Sequence, residues 1–445
     1  MSDRPMLSRP FAALLTLALS AGTVWLVSVY VFRRSAMDRT LLAWLLGVGI
    51  LLRVIGFAST PILETDYFRY LWDGAVTAHG ANPFAYAPID VLVVDEEAKL
   101  PASLQTLSEQ GSEVLSQVNH GDLRTIYPPV AQAAFALAYW LRPWSLNAWR
   151  VVLLLFDLAT AGLLVLLLQR LQLPLSYLVI YWWNPLFLKE IYNSGHMDAI
   201  VLPFVLGALY LALRRRFVWA AFWLGLAVGA KVWPVLLLPI LLRPPFTQPC
   251  QLLRALLVFA LVSGAMFFPI WQAGLEGDAG FTAFSQRWQM NDSAFMLILW
   301  GADRLARLLQ LDGALVQPLA RAITGLLLLA LLLWRLRWQN SDDTSICENC
   351  LIVVAVLFLL SPVQFPWYAI WLLPLVTLRP RWSLLLLLLL LPLYYLRFFL
   401  VARGQTRLFD NGIVWLEFLP VWVLLAWEML DTHKLRINSL AAATS

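Results

Sequence analysis

The sequence predicts an all-α protein, a polytopic bundle of transmembrane helices, and three observations support this fold class. The 445 residues are 61% hydrophobic and only 13% charged. Their mean hydropathy is +0.73. Apolar stretches of about 20 residues, the length that crosses a bilayer, recur along the whole chain. A soluble protein of this size could not bury so much apolar surface, so the composition indicates an integral membrane protein.

Seven apolar stretches are long enough to be clear spans, and six shorter blocks need neighbouring helices to shelter their ends. The clear spans lie near 11–32, 40–58, 150–171, 252–270, 314–334, 382–402 and 412–430. The shorter blocks lie at 175–188, 197–213, 217–230, 232–242, 350–361 and 367–378. The sequence therefore predicts about 13 spans in a single membrane domain that covers residues 1–445.

Basic residues in the short loops indicate how the chain is oriented. They form six clusters: Arg33, Arg34 and Arg39; Arg214–Arg216; Arg243 and Arg254; Arg335 and Arg337; Arg379 and Arg381; Lys434 and Arg436. With all six in the cytoplasm, the chain begins outside and ends in a cytoplasmic tail at 431–445. Residues 59–148 then form a long extracytoplasmic loop between the first two spans (11–58) and the others (149–430). Because topology accounts for these charges, we predict membrane lipids as partners and no nucleic acid.

Two short helices are predicted to lie along the outer membrane surface rather than across the bilayer. The first begins at Tyr127-Pro128-Pro129 and continues to Leu141, with Tyr127, Trp140 and Trp144 as interfacial anchors. Counting it as a span would invert everything downstream. The second runs from Ala294 to Leu311, where its charged residues suit an interface better than a bilayer core.

The outer loop is the acidic part of the chain, with ten acidic and four basic residues between Ser59 and Asn147. Glu64 and Asp66 follow directly on an apolar span. A solvated loop that merely stays out of lipid is one interpretation of these acids. Carboxylates at the rim of a membrane bundle, interleaved with aromatic residues, favour a functional site.

Four groups of polar residues are predicted to meet on the outer face. They are Glu64 and Asp66 with Arg53, Arg69, Tyr70 and Asp73; Lys189-Glu190, Tyr192-Asn193, His196 and Asp198 in a turn between spans; Lys231 in a broken helix; and Arg287, Asn291 and Asp292 in the loop at 271–293. Each has a plain alternative, since a polar residue at a helix end often marks only the lipid boundary and Lys231 could snorkel. Irregular backbone at membrane depth must nevertheless line protein or a cavity, which favours a role for Lys231.

This set of side chains suits transfer of a group from a lipid-phosphate donor. An acceptor hydroxyl needs a carboxylate base, and a departing phosphate needs cations or a metal. Glu64 and Asp66 could hold a divalent cation, Mg²⁺ or Mn²⁺. Lys231, Arg53 or Arg287 could face the phosphate.

The motifs resemble those of the GT-C superfamily of polytopic glycosyltransferases, within it the bacterial polyprenol-phosphate-dependent mannosyltransferase-like branch. The resemblance rests on 65–74 (TDYFRYLWDG), 80–84 (GANPF), Tyr127-Pro128-Pro129, Asn184-Pro185, Gly195-His196-Met197-Asp198, Gly229-Ala230-Lys231 with Pro234, and Phe365-Pro366-Trp367-Tyr368. In order and rough spacing these motifs cover residues 40 to about 380.

The resemblance implies an inverting hexosyltransferase of a bacterial inner (plasma) membrane, active on its outer face. It implies a polyprenyl-phosphate-linked sugar donor, with mannose favoured, and a glycan or lipid acceptor. Asp66 would be the catalytic base, with Glu64 as its partner in catalysis or metal binding. His196, Asp198 and Lys231 would contact substrate. Two rival hypotheses are a non-catalytic flippase or transporter of lipid-linked sugars, and a structural partner of an envelope-glycan complex.

Overall fold

The structure is a computed structural model that describes residues 11–92, 101–275, 279–340 and 342–444, without the side chains of 245 and 432–444. The regular structure in these ranges is helical, and the one β-type contact is an isolated bridge between Met290 and Val363. The predicted all-α class is therefore confirmed. The cluster Lys434 and Arg436, used above for orientation, lies outside the described side chains.

The first half of the chain forms α1 Phe11–Phe32, α2 Arg39–Ala58, α3 Tyr67–Ala78, α4 Ala102–Gln110, α5 Ser112–Leu115, α6 Pro129–Leu141, α7 Leu146–Arg170, α8 Leu178–Trp182, α9 Pro185–Phe187, α10 Val201–Leu213 and α11 Phe217–Ala230. The second half forms α12 Leu238–Leu241, α13 Pro249–Ala273, α14 Gly280–Arg287, α15 Ala294–Leu308, α16 Val316–Trp338, α17 Asp343–Leu360, α18 Leu373–Leu378, α19 Trp382–Leu390, α20 Leu396–Ala402, α21 Thr406–Leu408 and α22 Val414–Thr444. Short 3₁₀ or π turns connect several of them, at Pro88–Val91, Leu175–Tyr177, Leu188–Asn193, Met197–Ala199, Trp233–Leu237, Pro244–Thr247, Gly313–Leu315, Pro366–Trp371, Leu391–Tyr395 and Phe409–Ile413.

Eight segments of the described chain are long and apolar enough to cross a membrane. They contain α1, α2, α7, α13, α16, α17, α19 with α20, and α21 with α22. All seven clear spans predicted from the sequence are among them, and α17 extends the shorter block predicted at 350–361. The total of 13 is not confirmed, because eight segments, or nine with one bent pair, meet the criterion.

The shorter blocks stay short because prolines and polar turns interrupt them. The bent pair, Pro185–Asn193 and Met197–Leu213, turns by 114° around the sequence that contains Gly195. Gly195 has a φ of +74°, which favours glycine. Pro234 follows the end of α11 and begins a 3₁₀ turn instead of a longer helix.

The two helices predicted to lie on the membrane surface are present as short helices. α6 has 13 residues and begins with Pro129 at its first position, where a proline is tolerated because its missing N–H has no helical partner. It packs against α3, α7 and α11. α15 has 15 residues and packs against α16 and α17. The packing of α6 on α3 brings the outer loop over the bundle, where the candidate site lies.

Candidate functional site

A cavity of about 280 Å³ lies where the outer loop meets the bundle. Part of its polar lining comes from three separate regions that the sequence singled out: Glu64 and Asp66 before α3, Asp198 before α10, and Lys231 after α11. Aromatic side chains form much of the remaining wall, namely Tyr70, Tyr127, Phe284, Trp288, Phe365, Trp367, Tyr368, Tyr394 and Phe398. An enclosed space with a few convergent polar groups and aromatic walls is typical of a small-molecule binding site.

The segment before Glu64 is fixed by the bent span. The Asn193 side chain accepts a hydrogen bond from the Ile62 backbone N–H at 3.0 Å and donates to the Thr60 carbonyl at 2.6 Å. Arg150 on α7 donates to the carbonyls of Phe57 and Ser59. These bonds satisfy the backbone of an irregular segment and so set the position of the carboxylates that follow.

Asp66 stands at the beginning of α3 with its side chain 29% exposed to the cavity. Its carboxylate does not cap the helix, so it stays available to other partners. Asn119 donates to Asp66 Oδ1 at 3.3 Å and to the Thr65 hydroxyl at 2.9 Å. Asp66 thus has the exposure and the surroundings that a base needs.

His196 is completely buried and lies between two carboxylates. Its Nδ1 is 2.9 Å from Glu190 Oε2, and its Nε2 is 4.0 Å from Asp66 Oδ2. The imidazole stacks on Trp367 with ring centroids 4.0 Å apart. Nε2 has no hydrogen-bond partner among the described residues. Glu190 and Trp367 therefore hold the ring with one nitrogen directed at Asp66.

Asp198 and Lys231 form an ion pair at the cavity wall, with side chains 1% and 16% exposed. Asp198 Oδ1 also accepts a hydrogen bond from Trp371 Nε1 at 2.7 Å. The Lys231 ammonium lies 4.1 Å from the centroid of the Tyr368 ring. A carboxylate and two aromatic rings therefore already contact the charge of Lys231 before any substrate binds.

Tyr70 and Tyr127, two of the four tyrosines that line the cavity, are neutral donors. Burial raises the pKa of Tyr127, and the nearby Asp66 carboxylate raises it further. Burial also raises the pKa of Tyr70, whose ring stacks on Phe135 of α6. Both hydroxyls keep their protons at neutral pH and can donate to an oxygen of a bound sugar.

Four of the predicted site residues do not line the cavity: His196, which lies behind Asp66, and Arg53, Asp73 and Arg287. Arg53 is buried against Asp157 of α7, with Nε 2.6 Å from Oδ2, and stacks on Trp182. Asp157 balances the charge of Arg53 inside the bundle. The position of Arg53 therefore does not support the predicted contact with the substrate phosphate. Asp73 is buried beneath the cavity floor and Arg287 is exposed on α14.

Arg69 lines the cavity but is largely occupied by the protein. Its Nε donates to Asp73 Oδ1 at 2.9 Å and its NH1 donates to the Leu123 carbonyl at 3.0 Å. Asp73 also accepts from the Thr125 hydroxyl at 2.6 Å. The arginine at 69 and the aspartate at 73 thus join α3 to the far end of the outer loop, which indicates a supporting role for the pair.

Four residues of the site were missed by the sequence analysis: Asn119, Glu190, Trp367 and Arg397. Glu190 was noted beside Lys189 but without a role, and Trp367 only as part of a motif. Asn119 gave no signal, because it lies more than 50 residues from Asp66 in a polar loop. Arg397 was hidden in the predicted span 382–402, although a charge in such a span is itself a signal of function.

The predicted divalent cation can be compared with the side chains present. Within the described ranges no group of three or more His, Cys, Asp or Glu side chains is arranged to hold a metal ion. Glu64 and Asp66 do line the same cavity. Mg²⁺ is often bound by one or two carboxylates together with substrate phosphates and water, so two carboxylates fit such a site.

Two protein families match this chain. Residues 4–243 match the family described as alpha-(1->6)-mannopyranosyltransferase, N-terminal domain. Residues 125–362 match glycosyltransferase family 87. The two matches overlap over the bent span, the turn at 195–198 and Lys231. No curated protein and no solved structure matches significantly.

Proposed function

The chain belongs to the alpha-(1->6)-mannopyranosyltransferase family, and from this premise we propose that it transfers a hexose, with mannose favoured, from a polyprenyl-phosphate donor to an envelope glycan or glycolipid. That it is a glycosyltransferase follows from both family matches. A sugar donor and a glycan acceptor are implied by the same matches. The family favours catalysis over the flippase and over the structural partner considered above.

One observation carries the proposal at the level of residues. Asp66, Asp198 and Lys231 lie on three different elements, yet all line one cavity. A carboxylate that can act as a base and an ion pair that can form hydrogen bonds to a donor thus meet in a space of a size suited to a sugar. The wide aromatic wall suits the apolar faces of a sugar ring, and the membrane setting suits a donor with a lipid tail.

In the proposed mechanism Asp66 accepts the proton of the acceptor hydroxyl. The acceptor oxygen forms a bond to the anomeric carbon as the bond from that carbon to the donor phosphate oxygen breaks. The electron pair leaves with the phosphate, and the anomeric configuration is inverted. Asn119 donates a hydrogen bond to the Asp66 carboxylate, and His196, held by Glu190, faces that carboxylate from the buried side.

Lys231 is proposed to contact the donor together with Asp198. Their ion pair presents both a donor and an acceptor of hydrogen bonds to a sugar ring or its phosphate. A divalent cation held by Glu64 and Asp66 would stabilise negative charge on the departing phosphate. Each of these assignments is a proposal about the side chains that line the cavity.

We place the active face outside the plasma membrane of a bacterium, on the basis of the basic loops. A reporter fused after about residue 105 should then be extracytoplasmic, and one fused after Arg216 should be cytoplasmic. Both reporters on the same side would contradict the placement of the cavity at the outer surface.

The function is tested with purified protein in lipid nanodiscs. Polyprenyl-phosphate mannose and polyprenyl-phosphate glucose serve as donors, and envelope glycolipids extracted from cells that lack the gene serve as acceptors. Mass spectrometry should detect an acceptor that gains one hexose from the mannosyl donor. Activity with a nucleotide sugar and none with either lipid donor would overturn the proposed donor class.

A further inference from the structure

One cation of the cavity forms no hydrogen bond and no ion pair with the residues that the structure describes. Four lysine or arginine side chains of the described chain line the cavity: Arg69, Arg124, Lys231 and Arg397. Lys231 and Arg69 form ion pairs, and Arg124 donates to the carbonyls of Phe84 and Ala273. Arg397 makes neither a hydrogen bond nor an ion pair with any described residue, and its Nε is buried without an acceptor.

The position of Arg397 makes this lack of a partner costly. It lies on α20 and is the only charged residue between 382 and 402, an apolar stretch long enough to span a membrane. Charged residues in such stretches usually pair with other groups or face a pathway for ligands. Asp410 is near enough to interact with the charge of Arg397, but no described residue accepts a hydrogen bond from its buried Nε. A guanidinium shielded from water in this way still needs an acceptor.

The alternative is that Arg397 only marks the membrane boundary, because arginines near the end of a span often extend toward the lipid headgroups. Arg403, near the end of the same segment, fits that description. It is exposed, and its guanidinium lies 3.8 Å from the centroid of the Phe399 ring. Arg397 differs because it lines the cavity that contains Asp66. Tyr394, one turn before it, is close enough to Glu64, Asp66 and Arg397 to be influenced by all three charges.

The chemistry of Arg397 matches a phosphate. Its planar guanidinium presents two parallel N–H groups that fit two phosphate oxygens. Lys231, by contrast, is already neutralised by Asp198. Of the four cations, Arg397 thus has the most to gain from an anionic ligand.

We propose that Arg397 binds the phosphate of the donor and holds it as the leaving group, opposite the Asp66 base. This rests on the proposed function, which supplies a lipid-phosphate donor. When the bond to the anomeric carbon breaks, the phosphate gains an electron pair and becomes a monoester with greater negative charge. Arg397 keeps its own proton throughout, and its attraction to the phosphate increases as that charge develops.

The test measures binding to the full-length protein in nanodiscs of zwitterionic lipid, with two probes of equal chain length. One probe is a polyprenyl phosphate and the other the uncharged polyprenol. Wild-type protein should prefer the phosphate, and Arg397→Met should lose about tenfold or more of that preference, the scale of a hydrogen bond between charged groups. Arg397→Lys should restore part of it. Arg403→Met removes an equal charge from the same segment and should retain the wild-type preference.

The outcomes separate the two levels of the proposal. If wild-type protein does not distinguish polyprenyl phosphate from polyprenol, the proposed donor class fails. If the preference is present and survives in Arg397→Met, with thermal unfolding in detergent unchanged, the assignment of Arg397 fails and the donor class stands. Equal competition by phosphatidylglycerol at Arg397 would also overturn the assignment, in favour of a site for phospholipid headgroups.

Discussion

His196 and Asp66 face each other across 4.0 Å, with Nε2 of the imidazole directed at Oδ2 of the carboxylate. The distance is too long for a hydrogen bond and short enough for a modest movement of α3 to form one. Glu190 holds the far side of the ring at 2.9 Å. A carboxylate, an imidazole and a second carboxylate thus stand in a row from the interior of the bundle to the cavity.

Asp66→Asn should abolish most of the transfer activity. The amide keeps the size of the side chain and can bond to Asn119, but it cannot accept a proton at neutral pH. We expect the rate to fall by about 100-fold or more, the scale of general-base catalysis. Asp122→Asn, which changes an exposed acid of the same loop outside the cavity, should have little effect. Full activity in Asp66→Asn would move the base to Glu64 or Asp198.

His196→Asn should lower kcat and leave the KM for the donor near its wild-type value. The shorter amide can still donate to Glu190 but cannot reach Asp66, so the base loses its support while the cavity keeps its lining. A loss of about tenfold in kcat is expected for a residue that acts through its neighbour. Steady-state kinetics at several donor concentrations separate the two constants. A rise in KM alone would indicate direct contact with substrate.

Lys231→Met should weaken the use of the donor and also destabilise the protein. It leaves Asp198, which is 1% exposed, as an unpaired buried charge. Breaking a buried pair in this way costs about 3–5 kcal/mol. The double variant Lys231→Met with Asp198→Asn should regain much of the thermal stability without regaining activity. Lys231→Arg should rescue activity only in part, because a planar fork does not replace a compact charge. Normal turnover by the single variant would make Lys231 a boundary residue.

Asp292, in the loop between α14 and α15, should make stability depend on pH. Burial raises its pKa from 3.8 to about 7. In the unfolded chain it ionises near its ordinary pKa, so the stabilisation is fully present below about pH 4. It is lost progressively up to about pH 7, by on the order of 1.4 kcal/mol per pH unit. Asp292→Asn should therefore raise the Tm more at pH 8 than at pH 5. Equal changes in Tm at both values would show that Asp292 is ionised in the folded protein.

The sequence predicted the site where short motifs carry the polar groups. Asp66, His196 and Lys231 each lie at an interruption of an apolar stretch; the fold brings Asp66 and Lys231 to one cavity and His196 behind Asp66. Arg53 could not be assigned, because its partner Asp157 lies 104 residues away inside another span. Arg397 was treated as part of a span, because hydropathy averages a single charge over many leucines.

The span count shows a similar limit of hydropathy. Apolar composition identified all seven long spans. It could not show which of the shorter apolar blocks form complete spans or where each block is interrupted. Prolines and glycines set the breaks within those blocks, and the angle at each break depends on tertiary contacts. The 114° bend before α10 is such a case, since the Trp149 indole donates to the Gly195 carbonyl at 2.7 Å. The indole that contacts the bend comes from α7.

The pair of Arg53 and Asp157 also has a consequence for how this protein is made. Each residue alone would oppose insertion of its own helix into lipid by about 2.5–3.5 kcal/mol at a central position. Arg53 emerges from the ribosome 104 residues before Asp157. During that interval α2 must be tolerated with its charge uncompensated while the whole outer loop is synthesised. Packing of α2 against α7 therefore pairs the two charges and holds the two ends of the loop together. If this packing fails, an unpaired charge remains in the membrane, where quality control can detect it.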